Sequence, residues 1–282
     1  MAGNPIIPDA RSVLAAVIQL CSGSDRAANL DRAGRLMDRA VDRGAELLVL
    51  PENFSFMGQT EEEKRRHRED PEASPSLQFL VELARRRRVW IVGGSIPMLV
   101  AGQEKSTSSC CLLDPHGEIR ARYDKIHLFD VRLGSGEPYQ ESAVIVPGRT
   151  PLCGDTPFGR IGLSICYDLR FPELYRRLVS AGATLLTVPS AFTLTTGKDH
   201  WELLLRARAV ENFAYVLAPN QGGVHPGGRR TYGHSMIVDP WGSVIARCPD
   251  GEGFAMAELD PVRVSTCREQ IPCLAHRVLA DR

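Results

Sequence analysis

Apolar and polar positions follow two periods along the chain, and turn residues mark where one gives way to the other. Val13–Gln19 (VLAAVIQ) is a short apolar run, the pattern of a buried strand. Over Ala27–Arg43, Leu30, Ala33, Met37, Ala40 and Val41 recur at helical spacing between arginines, and Gly44 follows as a stop. Glu46–Pro51 (ELLVLP) reads as a second buried strand, Ser76–Arg87 as a helix and Val89–Ile96 (VWIVGGSI) as a third strand. Ser108–Leu113 and Glu118–Tyr123 flank Asp114-Pro115-His116-Gly117, a turn signal, and so form a hairpin. The alternation continues with a strand over Arg160–Cys166, a helix over Glu173–Ala181, a strand over Thr184–Pro189, a helix over Trp201–Asn212 and a strand over Ala214–Ala218. A second hairpin joins Ser235–Asp239 to Ser243–Arg247 through Pro240-Trp241-Gly242. Short βα units imply parallel strands and the hairpins add antiparallel ones, so the expected class is α/β with mixed sheets and helices outside. No linker-like stretch, composition shift or internal repeat divides residues 1–282, and one domain is expected.

Composition narrows the function classes. Hydrophobic content of 43% against 24% charged is a globular balance and excludes a disordered chain. The 34 Lys and Arg match the 34 Asp and Glu, which argues against a nucleic-acid or acidic-membrane partner held by bulk charge. The Arg85–Arg88 run closes a helix, where cations suit the negative dipole end, and lacks interleaved aromatics. No run approaches the roughly 18 apolar residues of a membrane span. The start, MAGNPIIPDARS, lacks a basic region followed by an apolar stretch, so no secretory signal is expected there. The eight cysteines include no C-x-x-C pair and no zinc spacing with histidine. Reduced thiols in a cytoplasmic setting are expected, with a disulfide framework as the alternative. Neither metal nor cofactor is called for: Walker A, H-E-x-x-H and G-x-G-x-x-G loops are all missing. Asn53-Phe54-Ser55 matches a glycosylation acceptor and is read as chance.

Candidate chemistry collects at three junctions. In LVLPENF, Glu52 follows a buried strand, at the end where α/β proteins gather their active sites, and burial would suit a carboxyl there to proton transfer. A helix cap is the plainer reading. In RYDKIHLFD, Lys125 follows a strand and precedes an apolar pair, either pointing inward or snorkelling; His127 reads as a structural hydrogen-bonder. In GLSICYDLRFPELYR, a strand runs into the opening of a helix with Cys166 at the bend. A thiol at such an elbow lies near free backbone N–H groups, which favour thiolate and prepare an oxyanion site. Gly162-Leu163-Ser164-Ile165-Cys166 is similar to a G-x-S-x-G elbow ending in Cys, and strand alternation puts Ser164 on the same face as a competitor. The alternative for Cys166 is a buried structural cysteine. Covalent thiol catalysis is the reading that best joins these residues.

These residues resemble the nitrilase superfamily of carbon–nitrogen hydrolases, which carries a Glu, a Lys and a Cys in that order, each in its own motif. Here they are Glu52 in LPENF, Lys125 in YDKIHLFD and Cys166 in ICYDLRFPE. The resemblance extends through PSAF (Pro189–Phe192), HWELLLRARAVEN (His200–Asn212), YGHSMIVDPWG (Tyr232–Gly242) and the late Pro272…His276-Arg277. It implies an α-β-β-α sandwich that pairs into a four-layer homodimer, and a second glutamate, Glu141 in YQES, holding Lys125 and Glu52. The segment from Pro189 to Asn212, with YGHSMIVDPWG, looks closest to the deaminated glutathione amidase branch, next to ω-amidases. The resemblance then implies a small-molecule amide as substrate, a thioester on Cys166 and release of ammonia. In that picture Glu52 moves protons, while Lys125 and the backbone N–H of Tyr167 hold the oxyanion. Lys125 would lower the Cys166 pKa, and Arg170, Phe192 and Thr196 would contact the substrate, Arg170 through a carboxylate. Other readings are a nitrilase or carbamoyl-amino-acid hydrolase of the same superfamily, a scaffold without activity, and a thiol redox sensor, for which Cys153 is the nearest resolving cysteine in sequence.

Overall fold

Val13, Ala15 and Val17 point to one side of their strand and Ala16 and Ile18 to the other, and both sides are covered. This strand, Val13–Gln19, pairs antiparallel with Gly253–Leu259 and parallel with Leu47–Val49. The computed structural model describes residues 10–132 and 138–279, so the first nine residues of MAGNPIIPDARS lie outside it. Beyond Leu47–Val49 the first sheet continues through Trp90–Val92 to Ser106–Leu113, which pairs with both Ile96–Leu99 and Ile119–Asp124. The second sheet runs Val244–Arg247, Met236–Val238, Tyr215–Ala218, Leu185–Thr187, Gly159–Leu163, Cys153–Thr156, with its three central strands parallel.

One core lies between the sheets, where Val13, Val17, Leu47 and Val49 of the first meet Ile161, Leu163 and Leu186 of the second. The helices Arg26–Asp42 and Pro75–Arg87 cover the outer face of the first sheet through Leu36, Met37, Leu80 and Leu83. Pro172–Ser180 and Leu194–Asn212 cover the second through Leu178, Trp201 and Leu205. The result is a helix–sheet–sheet–helix stack with mixed sheets. Helix starts follow capping chemistry: Asp25, Ser74 and Thr193 each accept a hydrogen bond from the N–H three residues on.

Several expectations need correcting. Val89–Ile96 is not one strand. It ends at Val92; Gly94 turns the chain at φ +57, and Ile96 opens a separate strand. The Arg160–Cys166 strand stops at Leu163, where the chain begins to bend toward the elbow. The helix expected over Trp201–Asn212 begins two turns earlier, at Leu194, because Thr193 caps it. The strand Gly253–Leu259 and helix Pro261–Gln270 were not read from the pattern; Gly253–Leu259 alternates weakly because part of its surface stays exposed. All eight cysteines are free thiols. Of the arginine run, Arg86 and Arg87 pair with Asp38 and Asp42 of the neighbouring helix, as suits a solvated helix end.

Candidate active site

Glu52, Lys125 and Cys166 each lie just past the carboxyl end of a strand: Leu47–Val49, Ile119–Asp124 and Gly159–Leu163. The first junction is locked by backbone. A Cβ on Gly94 would meet the Pro51 carbonyl at 2.2 Å, so glycine alone admits that approach. Asn53 turns at φ +57 and its N–H donates to Ser95 Oγ at 3.0 Å. From the other side Gln221 Nε2 donates to the Glu52 carbonyl at 3.0 Å, leaving the carboxylate directed inward and 3% exposed.

Lys125, 1% exposed, reaches the same place from the first sheet. Its Nζ donates to Glu52 Oε1 at 2.8 Å and to Glu141 at 2.8 and 3.0 Å. Glu141 sits in a short 3₁₀ turn, accepts the Phe129 N–H at 2.8 Å, and has Lys64 Nζ 3.7 Å away. Glu141 and Glu52 are thus joined through Lys125. Burial lowers the Lys125 pKa, but its two carboxylates outweigh that and hold it well above the ordinary lysine value. Burial likewise raises Glu141, and Lys125 with Lys64 reverses it, so the Glu141 carboxyl titrates below its ordinary range.

Cys166 occupies the left-handed region at φ +49, a conformation costly for a residue with a Cβ. Its N–H donates to the Pro189 carbonyl at 2.8 Å. Asp168 ties this elbow to the lysine strand. Its Oδ2 accepts from Tyr123 OH at 2.7 Å and Ile165 N at 2.8 Å, and its Oδ1 meets His127 N at 3.0 Å and Nδ1 at 2.7 Å. Lys125 lies between those two anchor residues. The structural role expected of His127 is what the geometry shows, and its ring also stacks on Phe171 at 3.7 Å.

Two expectations fail at the elbow. Ser164 does not share the pocket with Cys166. With the strand ended, its Oγ is buried, donating to the Thr187 carbonyl at 2.8 Å and bonded to Tyr175 OH at 2.8 Å. The resting thiol is not acidified either. Burial and the adjacent Glu52 carboxylate push Cys166 well above the ordinary thiol value, over the opposing pull of Lys125 and an Ala191 backbone contact.

Glu52, Lys125, Glu141, Cys166, Tyr167, Arg170, Phe192 and Thr196, all expected from the sequence, line one pocket. Arg170 reaches it over the Phe192 ring at 5.7 Å, with Nη2 3.2 Å from His200 Nδ1. The sequence reading missed Lys64, Phe129, Tyr139 and Arg229, which also line the pocket. Phe129 and Tyr139 lie inside the YDKIHLFD and YQES motifs without being singled out, whereas no motif marks Lys64, on the helix Glu61–Arg66, or Arg229; the four meet only in the fold. The acceptor-like Asn53-Phe54-Ser55 is buried beside the pocket, out of reach of a glycosyl group.

The arrangement brings into one pocket a thiol, a carboxylate able to accept its proton, and a fixed ammonium able to hold developing negative charge. The chain matches the carbon-nitrogen hydrolase family over residues 14–269. It is 47% identical over 268 residues to a deaminated glutathione amidase of Synechocystis, covering 94% of this chain and 98% of that protein. The crystal structure of the Caenorhabditis elegans NitFhit protein superposes with a TM-score of 0.88 at 38% identity, covering 95% of this chain and 66% of that one. An amidase from Nesterenkonia, in a mutant form showing acrylamide added at the active site cysteine, superposes at 0.78 with 28% identity, covering 93% and 98%. With a match spanning most of its length and a relative this similar, the chain belongs to the carbon-nitrogen hydrolase family, and it is an amidohydrolase of the nitrilase superfamily.

Proposed function

We propose that the protein hydrolyses the γ-amide of deaminated glutathione and of 2-oxo-glutaramate-like compounds, with Cys166 as nucleophile. Cys166 Sγ attacks the amide carbonyl carbon as its proton passes to Glu52. The carbonyl oxygen takes up negative charge facing Lys125 Nζ and the Tyr167 backbone N–H. Glu52 then protonates the amide nitrogen, the C–N bond breaks, and the acyl group stays on sulfur as a thioester. Water attacks that thioester, Glu52 takes a water proton, and the acid leaves as the thiol regains its proton. For a primary amide the departing amine is ammonia. The γ-linkage of deaminated glutathione is a secondary amide, so the departing amine there is cysteinylglycine. Glu141 holds Lys125 in place through two hydrogen bonds, and Arg170, beside Phe192 and Thr196, pairs with the keto-acid carboxylate.

What carries this reading is Lys125 bridging Glu52 and Glu141 in the pocket that holds Cys166. The Synechocystis relative supports the choice of substrate. Incubation with deaminated glutathione and with 2-oxo-glutaramate, followed by quantifying 2-oxoglutarate, tests it. Turnover is expected with the parent protein and none with Cys166→Ala; full turnover in Cys166→Ala refutes the mechanism.

The same reading makes the protein a cytoplasmic homodimer, supported by its eight free thiols and by an apolar strip on Leu194–Asn212. Leu203 and Val210 lie two turns apart on that helix, 67% and 44% exposed, and Trp241, 46% exposed, sits in the turn whose Gly242 abuts Val210. No helix among the described residues is long and apolar enough to cross a membrane.

A further inference from the structure

A second chamber, open to solvent, adjoins the nucleophile pocket, and the two share Asn53, Lys64, Tyr139 and Arg229 in their walls. Its far side is formed by the chain around Gly58–Thr60 and by Gly227 and Gly228. Those glycines turn at φ +76 and +81. A Cβ on Gly227 would press on Gln59 at 3.3 Å, while one on Gly228 would meet nothing within 4 Å. The two loops therefore touch at Gly227 and leave open space at Gly228.

The direction of the reaction says which half of the substrate enters. Glu52 must reach the departing nitrogen, and its neighbour Asn53 forms part of the shared wall. Arg170, Phe192 and Thr196 line only the nucleophile pocket. The acyl half thus lies toward Arg170 and the amine half toward the chamber. On that path stand two cations. Lys64 already faces Glu141 at 3.7 Å. Arg229 has no acidic partner among the described residues; its guanidinium lies over the Tyr139 ring at 5.5 Å, and its Nε is buried without a hydrogen-bond partner. A buried guanidinium nitrogen with no acceptor is costly unless an anion completes it.

We infer that this chamber is the leaving-group subsite for a peptidyl amide, and that Arg229 binds the carboxylate at the far end of the departing peptide. The inference rests on the amidase reading above and adds to it a reason for preferring a dipeptide over ammonia as leaving group. Three substrates with the same 2-oxoglutaryl half test it: the primary amide, the cysteinylglycine amide, and the latter with its terminal carboxylate converted to a carboxamide. In the parent protein the free carboxylate is expected to exceed the carboxamide by about 10–100-fold in kcat/KM, mostly through KM. Arg229→Gln should abolish that preference and Arg229→Lys retain part of it. Equal rates for carboxylate and carboxamide in the parent protein overturn the subsite without any variant, as does an Arg229→Gln loss of the same factor on all three substrates. Failure of the parent protein on all three overturns the amidase reading itself, whereas hydrolysis of all three without a carboxylate preference overturns only the subsite.

Discussion

Lys125 keeps its charge at 1% exposure because two carboxylates meet it, and Cys166 keeps its proton because it is buried and one of those carboxylates adds to the effect. In the proposed mechanism Glu52 plays opposing parts: its charge helps burial hold the thiol neutral, and its oxygen accepts the proton when sulfur attacks. Glu52→Gln separates the two. Loss of the proton acceptor is expected to lower kcat about 10²–10⁴-fold. Loss of the negative charge should move Cys166 alkylation by iodoacetamide to lower pH, read by mass spectrometry of the labelled peptide. An unchanged alkylation profile would mean that Glu52 does not set the thiol's protonation. Arg170 is the residue proposed to meet the substrate carboxylate. Arg170→Ala is expected to cost about 10–100-fold in kcat/KM on amides of keto acids and much less on neutral amides. Equal losses on both would remove its carboxylate role.

At the scale of elements, the site depends on loops pinned to strand ends. Motif spacing reveals Glu52, Lys125 and Cys166 because each follows a strand, apolar before Glu52 and Cys166 and polar before Lys125, and strand ends are where such sites collect. It does not reveal that Asp168 binds Tyr123 and His127, which sets the elbow against the lysine strand. Glu141 is a further fixing point, and it ties site to stability. Its folded-state carboxyl titrates below the ordinary value of 4.5, so its contribution is complete above that value and disappears as pH falls through the folded-state value. Glu141→Gln should therefore lower unfolding free energy near pH 7 by on the order of 3 kcal/mol, leaving Lys125 to Glu52 alone. The deficit should shrink below pH 4.5, as measured by urea unfolding across pH. A deficit that stays constant with pH would show that the ion pair is not its source.

For the whole molecule, two sheets back to back place inward residues in a shared core and leave a helix layer on each outside face. The helix layer of the second sheet carries the exposed Leu203 and Val210, and the hairpin turn abutting Val210 carries the half-exposed Trp241, a strip suited to a second copy. Leu203→Glu puts a charge in that strip, and the parent protein is expected to sediment as a dimer and the variant as a monomer. A monomeric parent protein would refute the pairing.

Periodicity, turn residues and local motifs were enough to establish the mixed α/β class, most strands and the three chemical junctions. Each rests on contacts within a few residues, or on an apolar pattern that burial on both faces imposes. Only the tertiary structure decided the rest: that Ser164 is sealed among Tyr175 and Thr187, that the Cys166 thiol is neutral at rest, and that Lys64 and Arg229 stand at the pocket. Those outcomes depend on desolvation and on charges brought together from distant segments, and neither quantity exists until the chain has folded.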